Sequence, residues 1–231
     1  MTKTLLLFDI DGTLLQVDDA TRQAINKAFS EIFRLENPQQ NVPFAGRTDL
    51  GIFKDIAQYL LKRPFQDGEL KQVTDRYISL LPGELVKCPF RLMPGVTQLL
   101  PMLAAKEDII LGLETGNLEK SAYMKLRRGG LDQYFTFGGF GSDSEERSEF
   151  IRIAISRARK LNHGSILNEN IFLIGDSPYD IKAGKKAGIK TIGVCTGHVE
   201  RSVLQAESPT CVLTDLSDIP AFIKFIEGGE L

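Results

Sequence analysis

The chain has 231 residues and a formal net charge of −2, with 42% hydrophobic and 25% charged residues, an ordinary composition for a globular protein. Its lysines and arginines are dispersed along the sequence, so it lacks the basic cluster that is typical of a nucleic-acid-binding surface. Since no apolar run approaches the roughly 20 residues that cross a bilayer, we expect neither a membrane-spanning α-helix nor a membrane partner.

The first predicted element is a strand over residues 4–8, a short apolar run that ends in Asp9-Ile10-Asp11-Gly12-Thr13. A continuous apolar run is typical of a strand that is buried on both faces of a parallel sheet. Three helices follow, at residues 20–33, 48–61 and 69–81, and no strand signal appears between Leu15 and Lys87. The pattern therefore predicts a helical insertion of about seventy residues after the first strand.

Helices and strands alternate in the second part of the chain. The predicted helices are residues 96–105, 118–128, 145–161, 179–187 and 219–226, and the predicted strands are residues 108–113, 134–137, 171–174, 190–194 and 211–213. Such alternation predicts an α/β fold with a parallel sheet. We therefore expect a Rossmann-like catalytic core of residues 1–14 and 91–231, into which an all-helical cap segment of residues 15–90 is inserted.

Polar residues follow three of the predicted strands. In open α/β sheets, ligands bind at the carboxyl ends of the strands, so these residues form the expected site. Asp9 and Asp11 follow the strand at residues 4–8, and Thr115-Gly116-Asn117 follows the strand at residues 108–113. Asp176 and Asp180 follow the strand at residues 171–174.

The chemistry of these residues points to phosphoryl transfer. Residues two apart on an extended segment point the same way, so Asp9 and Asp11 can face one crevice. One carboxylate can attack while the other carries a proton. So many acids would repel a phosphate dianion, which requires a cation; oxygen ligands and phosphate chemistry favour Mg²⁺. Thr115 and the backbone amides of Gly116 and Asn117 can donate hydrogen bonds to phosphate oxygens, and Arg147 is the candidate fixed cation.

The order of these motifs resembles the haloacid dehalogenase superfamily, and within it the phosphoglycolate phosphatase and β-phosphoglucomutase-like group. The resemblance covers almost the whole chain and implies a five-stranded parallel sheet. It implies Asp9 as the nucleophile and Asp11 as the general acid and base. It also implies Mg²⁺ held by the Asp9 carboxylate, the Asp11 backbone carbonyl and Asp176, with Asp180 in support.

Two positions depart from the pattern of that superfamily. Glu114 precedes Thr115 where an apolar residue is usual, and a buried acid is costly unless it is paired. Either that face of the strand is solvated or Glu114 has a basic partner. The third motif is often lysine; here Arg147 is its expected counterpart, ahead of Arg152 and Lys160.

Arg47, in the sequence Gly46-Arg47-Thr48-Asp49, has two interpretations. It belongs either to a turn before a helix that Thr48 caps, or to a cap loop that contacts the far end of the substrate. Similar loops select the substrate in the group that the chain resembles, so Arg47 is a candidate substrate-binding residue.

The expected function is hydrolysis of a small phosphorylated metabolite by a cytoplasmic monomer or weak dimer. Three widely spaced cysteines favour reduced thiols and that compartment. A phosphomutase would use the same residues. A dehalogenase is disfavoured because related dehalogenases lack the second aspartate, and a non-catalytic binding protein on the same fold is the alternative outside the enzymes.

Overall fold

The computed structural model describes residues 2–17, 19–36, 38, 42–161 and 165–228. Its strands are β1 (Thr4–Phe8), β2 (Leu15–Val17), β3 (Phe90–Leu92), β4 (Ile109–Thr115), β5 (Gly138–Phe140), β6 (Ile171–Gly175), β7 (Lys190–Val194) and β8 (Cys211–Leu213). Its helices are α1 (Ala20–Phe33), α2 (Asp49–Leu61), α3 (Glu69–Lys87), α4 (Val96–Ala104), α5 (Glu119–Arg128), α6 (Arg147–Leu161), α7 (Pro178–Ala187), α8 (Arg201–Ala206) and α9 (Ile219–Ile226). In this part of the chain, no helix has both the length and the apolar character that crossing a membrane requires.

Six strands form one parallel sheet in the order β5-β4-β1-β6-β7-β8. The α/β prediction is confirmed, with one strand more than the five that the resemblance implied. Strand β1 is central and buried on both faces: Leu6 and Phe8 join the core on one side, and Leu5 and Leu7 join the core on the other. Helices therefore cover both faces of the sheet, as its apolar strands require.

The helices α1, α2 and α3 all lie in the cap segment. Buried aromatic residues hold them together, and the rings of Phe53 and Tyr77 meet edge to face with 5.2 Å between centroids. A two-stranded antiparallel sheet of β2 and β3, with Leu15 opposite Leu92, lies at the two ends of this segment. The sequence showed no strand at β2, because three residues are too few to display a period.

One predicted strand is wrong. The sequence predicts a strand over residues 134–137, but the strand is β5, which begins at Gly138. A Cβ on Gly139 would lie 1.8 Å from the backbone oxygen of Phe150 on α6. The helix therefore packs directly against the strand backbone, and the absence of a side chain at Gly139 permits this close approach.

Candidate active site

The sheet brings the three polar strand ends together. Asp9 follows β1, Thr115 ends β4 and Asp176 follows β6, and these three strands are direct neighbours. The backbone amide of Asp9 donates to the carbonyl of Ile174 at 2.9 Å, so the ladder between β1 and β6 continues to Asp9 itself. The position of this carboxylate is thus set by a central, buried strand of the sheet.

Three carboxylates form a cluster that could hold a metal ion. Asp9, Asp176 and Asp180 each offer an oxygen, and these oxygens lie within 4.8 Å of one another. Glycines make room for Asp176: a Cβ on Gly12 would lie 2.4 Å from its Oδ2, and one on Gly197 would lie 1.7 Å from the same atom. Gly12 also has a φ of +87°, which favours glycine. An all-oxygen donor set fits a hard divalent cation.

The pKa values of the acids show how much negative charge is confined here. Burial, reinforced by Asp180, raises the pKa of Asp9 well above its usual range. The same two causes raise the pKa of Asp176 to about 7. Burial also raises the pKa of Glu114 to about 8, although Arg147 opposes the shift. The ionised forms of these carboxylates are unfavourable in this site, and an additional cation would stabilise them.

Arg147 is the cation within this acidic cluster. Its Nη1 lies 3.2 and 3.3 Å from the two carboxylate oxygens of Glu114 and also pairs with Asp180. Burial opposes its charge, but Glu114 and Asp180 prevail and raise the pKa of the guanidinium. Glu114 is fully buried, which excludes a solvated face of the strand. Arg147 is the basic partner that allows an acid in place of the usual apolar residue. Arg152 instead pairs with Glu149 on the surface.

Asp180 is fixed from two sides. Its Oδ2 accepts from the backbone amide of Ser177 at 3.0 Å and from the Ser177 hydroxyl at 2.7 Å, and its Oδ1 faces Arg147. Ser177 and Asp180 form the capping box that begins α7. The position of its carboxylate is therefore set by the start of a helix.

The loop after β4 points hydrogen-bonding groups toward the same place. The Thr115 hydroxyl oxygen accepts from the Asn117 backbone amide at 3.3 Å and from Asn117 Nδ2 at 2.8 Å. Gly116 is required by a close approach from the cap segment, because a Cβ there would lie 2.6 Å from the carbonyl oxygen of Arg47. Both Thr115 and Asn117 are buried at the wall of the cavity described below.

Two buried charged residues at the site had no place in the sequence interpretation. The Lys125 ammonium on α5 contacts both carboxylate oxygens of Asp11, at 2.9 and 2.7 Å. Asp49, the first residue of α2, accepts from the Leu118 amide and the Ser121 hydroxyl, both at 2.9 Å. Helical spacing was the signal for Lys125, since it lies on the buried face of α5 with Ser121.

A cavity of about 480 Å³ connects these groups and is lined by both the core and the cap segment. Asp9, Asp11 and Arg147 lie on the core side, and Arg47 and Arg22 on the cap side. Thr48 caps α2 by accepting from the Gly51 amide at 3.1 Å, as the turn interpretation of this loop predicts. Arg47 lines the cavity, so it stays a candidate substrate-binding residue. The half-exposed Arg47 guanidinium pairs with Asp55.

Comparison with known proteins places the chain among hydrolases. A family model described as haloacid dehalogenase-like hydrolase matches residues 6–194. A phosphoglycolate phosphatase of Mesorhizobium japonicum is 26% identical over 225 residues, which cover 93% of this chain and 92% of that protein. The pyrophosphatase PpaX of Listeria monocytogenes is 26% identical over 223 residues, 96% of each chain.

Solved structures share the fold at lower sequence identity. The crystal structure of a predicted phosphoglycolate phosphatase from Haemophilus somnus superimposes with a TM-score of 0.70 at 22% identity, over 96% of this chain and 98% of that chain. CbbY from Rhodobacter sphaeroides in complex with phosphate gives a TM-score of 0.68 at 18% identity, over 94% and 96% of the respective chains. These similarities extend over the cap segment as well as the core.

Proposed function

The chain belongs to the haloacid dehalogenase-like hydrolases, and we propose that it is a Mg²⁺-dependent phosphatase that hydrolyses a small phosphorylated metabolite through an aspartyl phosphate on Asp9. The observation that carries this proposal is the cluster of Asp9, Asp176 and Asp180 beside Arg147, at the wall of the cavity between the core and the cap segment. The names of the phosphatase and pyrophosphatase relatives support the reaction class.

The proposed reaction has two steps, and both use Asp9 and Asp11. An oxygen of Asp9 attacks phosphorus, and the bond to the leaving alcohol breaks as Asp11 gives its proton to that oxygen. Asp11, now a carboxylate, takes a proton from a water molecule whose oxygen attacks the aspartyl phosphate. The bond between Asp9 and phosphorus then breaks, phosphate leaves, and both side chains regain their starting states.

The remaining residues bind the phosphoryl group and neutralise its charge. We assign the Asp9 carboxylate, the Asp11 backbone carbonyl and Asp176 as ligands of Mg²⁺, with Asp180 in support. When bound, the ion supplies charge neutralisation and polarises the phosphoryl oxygens. The Thr115 hydroxyl and the backbone amide of Gly116 donate to those oxygens, whereas the Asn117 amide donates to Thr115. Arg147 pairs with Glu114 and Asp180 and so holds these two acids in place.

The proposal is tested by measuring phosphate release from a panel of phosphorylated metabolites with Mg²⁺ and with EDTA. Release that requires the metal supports the proposal and ranks the substrates. If no compound is hydrolysed, the phosphatase assignment fails, and a mutase reaction primed by a sugar bisphosphate is the next assay.

Mg²⁺ is expected to raise the melting temperature, and to raise it more at pH 8 than at pH 6. At about 100 times its Kd, a bound ligand stabilises a protein by about 2.7 kcal/mol, which corresponds to roughly 5–11 °C for a chain of this size. Without metal, the raised pKa values of Asp176 (about 7) and Glu114 (about 8) give stability that is complete below about pH 4 and lost as the pH rises through those values. The metal then replaces the lost protons.

Differential scanning fluorimetry at the two pH values measures these shifts. Asp176→Asn is the matched variant, since it keeps the shape of the side chain and removes a proposed ligand, and its Mg²⁺-dependent shift should disappear. Equal shifts at pH 6 and pH 8 in the unmodified protein would contradict the assignment of the ion to these acids.

Arg47→Ala is expected to raise KM by about 10-fold with little change in kcat. A hydrogen bond between charged groups contributes about 1.5 kcal/mol at its lower limit, and Arg47 belongs to the cap segment and lines the cavity. Steady-state kinetics with the best substrate of the panel measure the effect. Arg63→Ala is the control, because Arg63 is another cap arginine with an acidic partner, Glu69, but does not line the cavity. An unchanged KM would remove Arg47 from the substrate site.

A further inference from the structure

Lys125 is buried beside the active site and has all of its donors directed at two residues. Its side chain is 3% exposed, and its Nζ lies 2.9 Å from Asp11 Oδ1, 2.7 Å from Asp11 Oδ2 and 2.7 Å from Asn117 Oδ1. An ammonium group has three protons, so these acceptors satisfy it. Asp11 is less buried, with 37% of its side chain exposed, and it lines the cavity.

Contact with Lys125 also fixes the orientation of the Asn117 amide. Since Oδ1 accepts from Lys125, Nδ2 faces the other way and donates to Asp11 Oδ2 at 2.7 Å and to the Thr115 hydroxyl oxygen at 2.8 Å. The same hydroxyl oxygen accepts from the Asn117 backbone amide at 3.3 Å. Both lone pairs of the Thr115 hydroxyl are therefore in use, and its proton remains for an acceptor in the cavity.

A second acid near Lys125 is Asp49, which belongs to the cap segment, but other groups donate hydrogen bonds to it. Its Oδ2 accepts from the Leu118 amide and the Ser121 hydroxyl. The lysine is therefore directed to Asp11 rather than to this neighbour, although its charge still lowers the pKa of Asp49 against the larger effect of burial. The network connects α5 with the residues that follow β1 and β4.

We propose that Lys125 is a positioning residue for the phosphatase reaction: it holds the Asp11 carboxyl group in one orientation and, through Asn117, directs the Thr115 hydroxyl proton toward the phosphoryl group. This inference rests on the proposed function. It assigns Lys125 no contact with the substrate. A general acid works only when its proton is within reach of the leaving oxygen, so the orientation of Asp11 decides the rate.

Stability alone does not account for a lysine at this position. Replacing a buried ion pair by apolar side chains is often neutral or stabilising, so a buried face of a helix has no need of an ammonium group. The neighbours of Lys125 on that face, Ala122 and Leu126, are apolar and buried. The orientation of Asp11 and Asn117 by its three protons accounts for a lysine at this position.

The test compares two leaving groups in Lys125→Met, which keeps the length of the side chain and removes its charge. An alkyl phosphate has a poor leaving group that needs the proton of Asp11, whereas p-nitrophenyl phosphate has a good one that does not. We measure kcat/KM for both, because this constant covers only steps up to release of the alcohol and so excludes the later action of Asp11 on water. We expect the ratio of alkyl to aryl kcat/KM to fall by about 100-fold, within the range of general acid catalysis.

The ratio of the two substrates does not depend on how much of the protein is folded, so a poorly folding variant still gives an answer. Lys120→Met is the matched control on the same helix, since Lys120 is exposed, and its ratio should equal that of the unmodified protein. Equal losses for both substrates in Lys125→Met would overturn the inference and leave Lys125 as a structural ion pair. If the unmodified protein hydrolyses neither of these substrates nor any compound of the metabolite panel with Mg²⁺, the proposed function itself fails.

Discussion

Asp9→Asn is expected to abolish phosphate release and, at the same time, to make the metal-free protein more stable above neutral pH. The amide cannot form the aspartyl phosphate, and loss of a nucleophile typically costs about 10⁴- to 10⁶-fold in kcat. The two effects have opposite signs because the Asp9 carboxylate is unfavourable where it lies. Burial and Asp180 raise its pKa, so ionisation of Asp9 costs more free energy in the folded protein than in the unfolded chain.

The pH dependence of that stability follows from the direction of the shift. An acid with a raised pKa contributes stability that is complete below the pKa of the unfolded chain and is lost as the pH rises through the pKa of the folded state. An asparagine has no such loss. Without metal, Asp9→Asn and the unmodified protein should therefore melt at similar temperatures near pH 4, and the variant should melt higher at pH 8.

Phosphate release and thermal melting in EDTA at both pH values test this pair of effects. Asp67→Asn, the same change at an exposed position of the cap segment, should alter neither property. Substantial residual turnover by Asp9→Asn would contradict covalent catalysis. Loss of turnover together with a lower melting temperature at pH 8 would show instead that the asparagine disrupts the site.

The parts of the site that were predictable from sequence are those at which a local pattern determines position. Asp9, Thr115 and Asp176 each lie within two residues of the end of an apolar run, and parallel strands bring such ends to one edge of a sheet. The apolar composition of these runs also predicts the fold class, because continuous apolar strands are typical of a parallel sheet that is buried on both faces. A two-residue spacing was also enough to place Asp11 at the cavity together with Asp9.

Side-chain pairing across the sheet could not be predicted in this way. Glu114 and Arg147 are 33 positions apart, and only the packing of α6 against the sheet brings the guanidinium to the acid. Lys125 is 114 positions from Asp11, and its role depends on which face of α5 is buried. Periodicity shows that face, but the partner on the other side belongs to a different part of the chain.

The misplaced strand has a related cause. Propensity favours aromatic residues such as Phe137 over Gly138 and Gly139 in a strand. Tertiary packing reverses that preference, because α6 comes so close to β5 that a side chain at Gly139 cannot be accommodated. The sequence around a residue indicates its local preference for a strand, whereas the close approach of α6 to β5 depends on how the whole core packs.

Arg147→Met is expected to lower the free energy of unfolding by about 3–5 kcal/mol at pH 9 and by less at pH 6. Removing one partner of a buried ion pair leaves the other charge without compensation. Glu114 is fully buried, and its pKa is about 8 even with Arg147 present. A carboxyl group with a raised pKa stabilises the fold while it is protonated and loses that contribution as the pH rises, so the variant is least stable in alkaline solution.

Urea unfolding at the two pH values measures the loss, which corresponds to a fall in melting temperature of roughly 6–20 °C at pH 9. The double variant Glu114→Gln, Arg147→Met separates the two roles of the arginine. The neutral amide keeps the shape of Glu114 and removes its charge, so most of the stability should return. Phosphatase activity should not return, because Arg147 also faces Asp180 at the wall of the cavity. Equal instability of the single and double variants would contradict the pairing, and recovered activity would show that Arg147 serves only to neutralise Glu114.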